Sequence, residues 1–482
     1  MSQEWDGSRR RSRPFHSTCR STAPAAPQHP PLATSASSPY HSRTANREDR
    51  IVLDIHLFRD EPDTVRDALR RRGDDVAVVD EIRALDLERR RTLAEVEELR
   101  ARRNRESKLI GKTSDPDERQ TKIAAMREVN ERITVLEQSL SETEARLESL
   151  LQSVPNIPRH DVPLGADESE NVVLRQHGAL PELDFEPLPH WDLGPALDII
   201  DFERGARMSG SRFYVLRGLG ARLQRALIQW MLDFHTARGY TEIYPPFLVR
   251  EECMYNAGQL PKFRDNLYHD VEDDVWLIPT AEVPLTNLHA GEILDVHDLP
   301  MHYVAYTACF RREKMKAGRD VRGIKRGHQF DKVEMYKFTE PEGSADALDQ
   351  MLADGEAMLQ QLGLPYRVVQ LCTGDLGFGA SITYDLEVWA AGCGEWLEVS
   401  SISDFGSFQA RRAGVRFRRE KGGPTEFVHT LNGSGLALPR TMIAILENGQ
   451  RSDGSVVVPE VLRDRMGVDL LSRDSIPSKS GP

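Results

Sequence analysis

The chain has 482 residues, 39% hydrophobic and 29% charged, enough for a buried core and two or three domains. Its net charge of −13 excludes general attraction to nucleic acid, so any such contact must use a local basic patch. The five cysteines (Cys19, Cys253, Cys309, Cys372 and Cys393) form no CxxC pair or zinc-spaced cluster, which fits free thiols in a reducing compartment, and no apolar run approaches the ~18 residues of a membrane helix.

Residues 1–50 are rich in Ser, Pro and Arg, with no acidic residue from Ser8 to Asn46. Such a segment cannot bury enough surface to fold. It also has the composition of an organellar transit peptide. A third reading, the preferred one, puts the true start near Val52, where ordered pattern begins. Residues 53–79 read as a helical lead-in, with Pro62 where a helix can start and Gly73 where one can stop.

Two long helices are expected next. In the second, Met126, Ile133, Leu140, Leu147 and Val154 repeat every seven residues, and Val129, Leu136, Thr143 and Leu150 fill the other seam position. The first, about Asp80 to Lys112, keeps the frame with Ile82, Leu85, Val96, Leu99 and Ile110, interrupted by Arg89 and Arg103. Turn residues at Gly111, Ser114 and Pro116 between them give an antiparallel hairpin, an arm of roughly 45 Å. Its arginines, Arg102 and Arg103 among them, suit either the solvated outside of a coiled coil or a grip on a nucleic-acid backbone.

The arm spans 51–155. Residues 156–195, rich in proline and acids, read as a linker and docking segment. From 196 to 467 the pattern is globular. An amphipathic helix over Gly220–Gly239 runs into a strand, Tyr240–Tyr244, stopped by Pro245 and Pro246. Further strands are expected at Val275–Ile278, Tyr303–Phe310, Lys332–Thr339, Arg367–Leu371, Tyr384–Ala390 and Glu395–Val399, with one helix near Ala345–Leu362. Strands that follow one another through loops predict an antiparallel sheet in an α+β domain. Residues 468–482 read as a flexible tail.

Four segments carry chemistry. The first is Thr280-Ala281-Glu282. The second runs from Ala308 to Glu334 and holds Arg311, Arg312, Glu313, Phe330 and Glu334 around a basic, glycine-punctuated loop. Two strands joined by such a loop can clasp a polyphosphate, or form only a solvated basic hairpin. The third, Glu398-Val399-Ser400-Ser401, is expected at a strand end. The fourth is Asn432-Gly433-Ser434-Gly435, leading through Pro439 and Arg440 into an apolar helix, and alone it reads as a tight turn.

Together TAEVPLTN, CFRREKMKAGRDVRGIKRGHQFDKVE, GFGASITYDLEVW, FQARR and HTLNGSGLALPRT resemble the seryl-tRNA synthetases, class II aminoacyl-tRNA synthetases, over about Leu53 to Gly467. The resemblance implies a class II antiparallel catalytic domain with a tRNA-binding helical arm, and a homodimer whose interface includes the segment ending at Pro245-Pro246. It implies ATP and Mg²⁺ as cofactors, and L-serine, tRNA(Ser) and possibly tRNA(Sec) as substrates, in the cytoplasm or, with a transit peptide, in an organelle.

By the same resemblance Thr280, Ala281, Glu282, Glu334 and Ser434 bind serine. Arg311, Arg312, Glu313, Phe330, Glu398, Val399, Ser400, Ser401 and Arg440 bind ATP. Glu398 and Ser401 hold the metal, and Arg311 and Arg440 are catalytic. The chain departs from the family pattern at Arg312, Ile382, Asp404, Gly406 and Ser407, which leaves room for a specialised paralogue. A non-catalytic coiled-coil regulator is the alternative from another class.

Overall fold

In the computed structural model, which describes residues 53–314 and 322–475, the chain opens with two short helices. α1 (Ile55–Asp60) starts where the Asp54 carboxylate accepts the His56 amide, and α2 (Pro62–Arg72) has Pro62 in its first turn. Gly73, at φ 75°, ends α2 in the left-handed region, where a side chain would be strained. The readings of residues 1–50 lie outside the described residues.

The long hairpin follows as α3 (Ala77–Ile110) and α4 (Pro116–Ser153). The 34 residues of α3 give a rod of about 50 Å. Glu81 near the start of α3 pairs with Arg146 near the end of α4, and Arg100 farther along α3 pairs with the earlier Glu137, so the hairpin is antiparallel; Arg89–Glu144 and Glu95–Arg132 also cross between the helices. The seam of α4 is buried at Met126, Val129, Ile133, Leu136, Thr143 and Leu147. Near the base it takes Leu151 in place of the expected Leu150, which is half-buried. Apolar packing divides into a basal cluster around Phe58, Ile82, Leu147 and Leu151 and a distal one around Met126, Val129 and Ile133. Arg89, an interruption of the heptad, pairs with Glu144 at 3.3 Å beside Thr143.

The base of the arm is sewn to the rest of the chain. Arg72 donates to the carbonyls of Leu376, Gly377 and Ala380, the Asn156 amide and side chain donate to Phe378 O and Gly379 O, and the Arg159 amide donates to Ser381 O. Burial of Arg72 lowers its guanidinium to about 10. The segment expected as a linker therefore docks closely. It also contributes a strand, β1 (Val172–His177), to the main sheet.

That sheet has eight strands. The others are β2 (Thr241–Glu242), β3 (Met301–Phe310), β4 (Gln329–Thr339), β5 (Tyr366–Gln370), β6 (Ile382–Ala390), β7 (Glu395–Asp404) and β8 (His429–Ala437). Their spatial order is β1-β5-β6-β7-β8-β4-β3-β2. All pairs are antiparallel except β2 with β3, so the fold is α+β as expected. β2 is shorter than the predicted Tyr240–Tyr244.

Helices α5 (His190–Ala196), α6 (Gly218–Thr236), α7 (Ser344–Gln361), α8 (Phe408–Ala413) and α9 (Leu438–Asn448) surround the sheet. One large core joins α6, α7 and α9 to one face, through Leu223, Leu227, Met351, Met358, Met442 and Ile445 against Val333, Met335, Leu386 and Leu431. Because strand side chains alternate, Lys332, Glu334, Tyr336 and Phe338 point to the opposite face, where the cleft lies. Gly435 is fixed by this layering, since a Cβ there would stand 2.8 Å from His235 Nε2 on α6.

Two further expectations need correction. The segment after Gly467 does not fray at once, because Leu470–Leu471 pairs with Val456–Val457 and Leu471 is fully buried. Glu398–Ser401 lies inside β7 and Asn432–Gly435 inside β8, neither at a strand end nor in a turn.

Candidate active site

The cleft has a volume of about 490 Å³ and is lined by Thr280, Glu282, Arg311, Glu313, Phe330, Glu334, Glu398, Ser401, Ser434 and Arg440. Ten of the fourteen residues expected at the site thus converge. The other four do not line it. Ala281 and Val399 are fully buried in the core. Ser400 is buried and donates its hydroxyl to Ser434 O at 2.6 Å. Arg312 turns away, donating Nε to Leu267 O at 2.7 Å with its guanidinium over the Tyr268 ring.

Two bulges assemble the site. Glu398 and Ser401 are three residues apart, and a regular strand would put them on opposite faces. The register shifts as Glu387 faces Glu398 while Leu386 faces Ser400, so Val399 is an extra residue and both side chains reach the cleft. On β8 a second shift lets Glu334 face Ser434 and Lys332 face Ala437. It puts Leu436 at φ 81°, an unusual conformation for a branched residue.

At the amino-acid end, Glu282 sits at the start of a short helix (Glu282–Thr286). Burial, together with the charge of Glu334, raises its carboxyl to about 7. Gln409 of α8 donates to Glu282 Oε1 at 2.6 Å, and its carbonyl accepts the hydroxyls of Tyr336 (2.9 Å) and Thr430 (2.8 Å). Glu334 pairs with Lys332, both nearly buried. Asn432 lines the same wall with its Nδ2 buried and unpartnered.

Gln409 and Lys332 stand beside the expected carboxylates although the sequence singles out neither, and Asn432 belongs to the fourth segment without an expected role of its own. Lys332 had a signal: it stands two residues before Glu334 on one strand and so shares its face.

At the other end, the Arg311 guanidinium lies 5.1 Å over the Phe330 ring and donates Nε to Pro279 O. Arg440 donates to Glu398 O at 2.7 Å and pairs with its carboxylate at 3.2 Å. Glu398, Ser401 and Arg440 also border a larger neighbouring cavity of about 850 Å³ containing Asp385. Asp385 faces Ser401 across β6 and β7, and its Oδ1 is buried without a hydrogen-bond partner. Burial and the nearby Glu398 push its carboxyl well above the usual range. Convergent guanidinium groups beside paired carboxylates, with a small polar recess at one end, can orient a nucleotide polyphosphate against a small zwitterion.

Two family models match. Residues 263–449 match the tRNA synthetase class II core domain (G, H, P, S and T), and residues 52–158 match the seryl-tRNA synthetase N-terminal domain. The serine–tRNA ligase of Roseiflexus castenholzii is 62% identical over 86% of this chain and 98% of its own length. That of Thermomicrobium roseum is 58% identical over 86% and 94%. A solved seryl-tRNA synthetase from Pyrococcus horikoshii, complexed with ATP, superposes with a TM-score of 0.82 at 39% identity, covering 87% of this chain and 99% of that one.

The chain belongs to the seryl-tRNA synthetase family. Its departures from the usual synthetase pattern have local structural accounts. Ile382 is fully buried in the main core. Asp404 accepts the Ser344 hydroxyl at 2.6 Å and the Gly406 amide at 2.7 Å. Gly406 holds φ 52°, and Ser407 accepts Arg411 Nε one turn on in α8. None of these four residues lines the cleft.

Proposed function

We propose that this cleft activates L-serine with ATP to give seryl-adenylate, and that the seryl group then passes to the 3′ end of tRNA(Ser). The chain is an ATP-dependent serine–tRNA ligase. The observation that carries the site assignment is the meeting of Glu282, Arg311, Glu334, Glu398 and Arg440 in one recess of about 490 Å³.

Attack of the serine carboxylate on the α-phosphate needs alignment and charge stabilisation, with no covalent nucleophile from the enzyme. Arg311 is set to hold the serine carboxylate and α-phosphate together, and Arg440 to hold the far phosphates. Phe330 offers the adenine a ring face beside Arg311, and Glu313 an acceptor for its amino group. Glu282, Glu334, Thr280 and Ser434 surround the ammonium and hydroxyl of serine. A recess that hydrogen-bonds a hydroxyl rejects alanine because its polar groups are left unpaired, by up to ~10⁴–10⁵-fold.

Mg²⁺ fits the residues present. Glu398 and Ser401 face one side, and the orphaned Asp385 oxygen opposite Ser401 is what a hard cation satisfies. Bound there, the ion would neutralise phosphate charge. The arm supports the tRNA reading, since Arg102, Arg103, Arg105 and Lys108 near its tip have no ion-pair partner among the described residues. Duplex RNA is recognised mostly by shape and backbone, so the arm suits a long extra stem, as in tRNA(Ser) and by extension tRNA(Sec). A second copy of the chain would cover Tyr244, which is 80% exposed beside Pro245-Pro246. We place the reaction in the cytoplasm. No helix among the described residues is long and apolar enough to cross a membrane.

An amino-acid panel in ATP–pyrophosphate exchange, with charging of purified tRNA(Ser), tests the reading. Exchange with serine alone and serine-specific charging are expected. Exchange with serine but no charging would indicate a paralogue with another acceptor, and no exchange would indicate a regulator.

A further inference from the structure

Behind the cleft lies a buried polar group that the reaction chemistry leaves unused. His190, at the start of α5, and Glu447, near the end of α9, are both fully buried. The Glu447 carboxylate accepts the His190 amide at 2.9 Å, His190 Nδ1 at 2.8 Å, the Cys393 amide at 2.8 Å and the Cys393 thiol at 3.1 Å. On the far side of the ring, Nε2 accepts the Ile324 amide at 3.1 Å. A ring nitrogen that accepts leaves the other to carry the proton, so Nδ1–H is directed at Glu447.

The trio has the donor types of a metal centre. With Nδ1 protonated, however, no imidazole lone pair faces its middle, and burial with Glu447 beside it pushes the Cys393 thiol up to about 12. The group is a set of satisfied hydrogen bonds ending on the main chain at Ile324.

Ile324 begins the run Ile324–Arg326, which lines the cleft beside Arg440. Helix α9 holds this run twice. Arg440, two turns before Glu447 and so on the same side of the helix, reaches Lys325 O with Nε at 3.5 Å. Glu447 reaches Ile324 through the imidazole. Gly323, at φ 70°, permits the second contact, because a Cβ there would lie 1.9 Å from His190 Nε2.

We propose that His190 is a positioning residue for ATP: bridging Glu447 to the Ile324 amide, it sets where Lys325 and Arg326 stand at the phosphate end of the cleft. This rests on the assignment of that cleft to ATP. Lys325 itself is nearly buried and pairs with Glu395, so its place is fixed by these surroundings.

The two ring nitrogens can be tested separately. In His190→Asn the amide nitrogen takes the place of Nδ1 and the acceptor for Ile324 is lost. In His190→Gln the amide oxygen takes the place of Nε2 and that acceptor is kept. Serine-dependent pyrophosphate exchange on the full chain is expected to show KM for ATP raised about tenfold in His190→Asn, with KM for serine within about twofold, and KM for ATP within about threefold of the parent in His190→Gln. Equal KM for ATP in the two variants, or a matching rise in KM for serine, would overturn the proposal. Should His190→Asn not fold, Glu447→Gln substitutes, with the same selective rise expected and an unchanged KM for ATP counting against. Arg311→Ala is the control for the site itself. Retained exchange there sinks the site assignment, whereas its loss beside a normal His190→Asn sinks this inference alone.

Discussion

Along the arm, Arg100 meets Glu137 and Arg132 meets Glu95 at 2.7 and 2.8 Å, with about half of each side chain in water. In the cleft, Lys332 meets Glu334 with less than a tenth of either exposed. The same chemistry has different consequences. Exposed pairs contribute about 0–1 kcal/mol and can be exchanged freely, because water competes for each charge. Buried pairs lose that solvent, so removing one member would strand the other, and each charge acts on its neighbours, as Glu334 does in helping burial raise Glu282. On the proposed function, rigid charge would serve selection of a small substrate and solvated charge a large polyanion that approaches from outside.

The comparison breaks most readily at Glu334. Glu334→Ala is expected to reduce serine-dependent exchange by roughly 10³-fold or more while circular dichroism stays native, because it strands Lys332 and opens the recess. Near-normal exchange would mean the buried pair is only structural.

Next comes Glu282. Burial and Glu334 raise its carboxyl to about 7, and the serine ammonium would favour the ionised form. KM for serine is therefore expected to fall several-fold as pH rises from 6 to 8 and then level off. Glu282→Gln should flatten that profile and raise KM about tenfold. A loss of stability accompanies this gain in affinity. A folded-state value raised from 4.5 to about 7 means the ligand-free fold holds the proton more tightly, so its stability declines between about pH 4.5 and 7 and is flat above. The difference in melting temperature between parent and Glu282→Gln across that window measures it.

On the arm, Arg102→Glu or Arg103→Glu should raise KM for tRNA several-fold at low salt and leave exchange untouched. Smallest of all, Glu137→Gln should change stability by about 0.5 kcal/mol or less in thermal unfolding.

How far each region could be read from sequence follows the same division. The hairpin declares itself because heptad spacing needs only local periodicity, and Met126, Val129, Ile133 and Leu147 fall where the period puts them. β1 was hidden because it is an edge strand exposed along all six residues, with no alternation to betray it. In the cleft, residue types were legible from motifs, yet their shared direction was not. Glu398 and Ser401 meet only through the extra residue at Val399, and a bulge is set by both strands at once. Gln409 was invisible for a similar reason. Its two-sided amide matters because Glu282, Tyr336 and Thr430, from three distant parts of the chain, arrive around it. Asp404, Gly406 and Ser407, unusual against the family pattern, become ordinary once seen as one interlocked turn entering α8.

The stitching between the arm and the loop Leu376–Ser381 bears on how this protein can be cut down. Arg72, Asn156 and Arg159 together occupy six carbonyls in a row. A shortened version lacking the hairpin and its base would leave that ribbon of acceptors bare along the cavity mouth. Trimming at the distal turn, around Gly111 to Asp115, would spare every one of those bonds. A minimal form asked only to activate the amino acid is therefore better made by shortening the rod from its far end than by amputating it at the root.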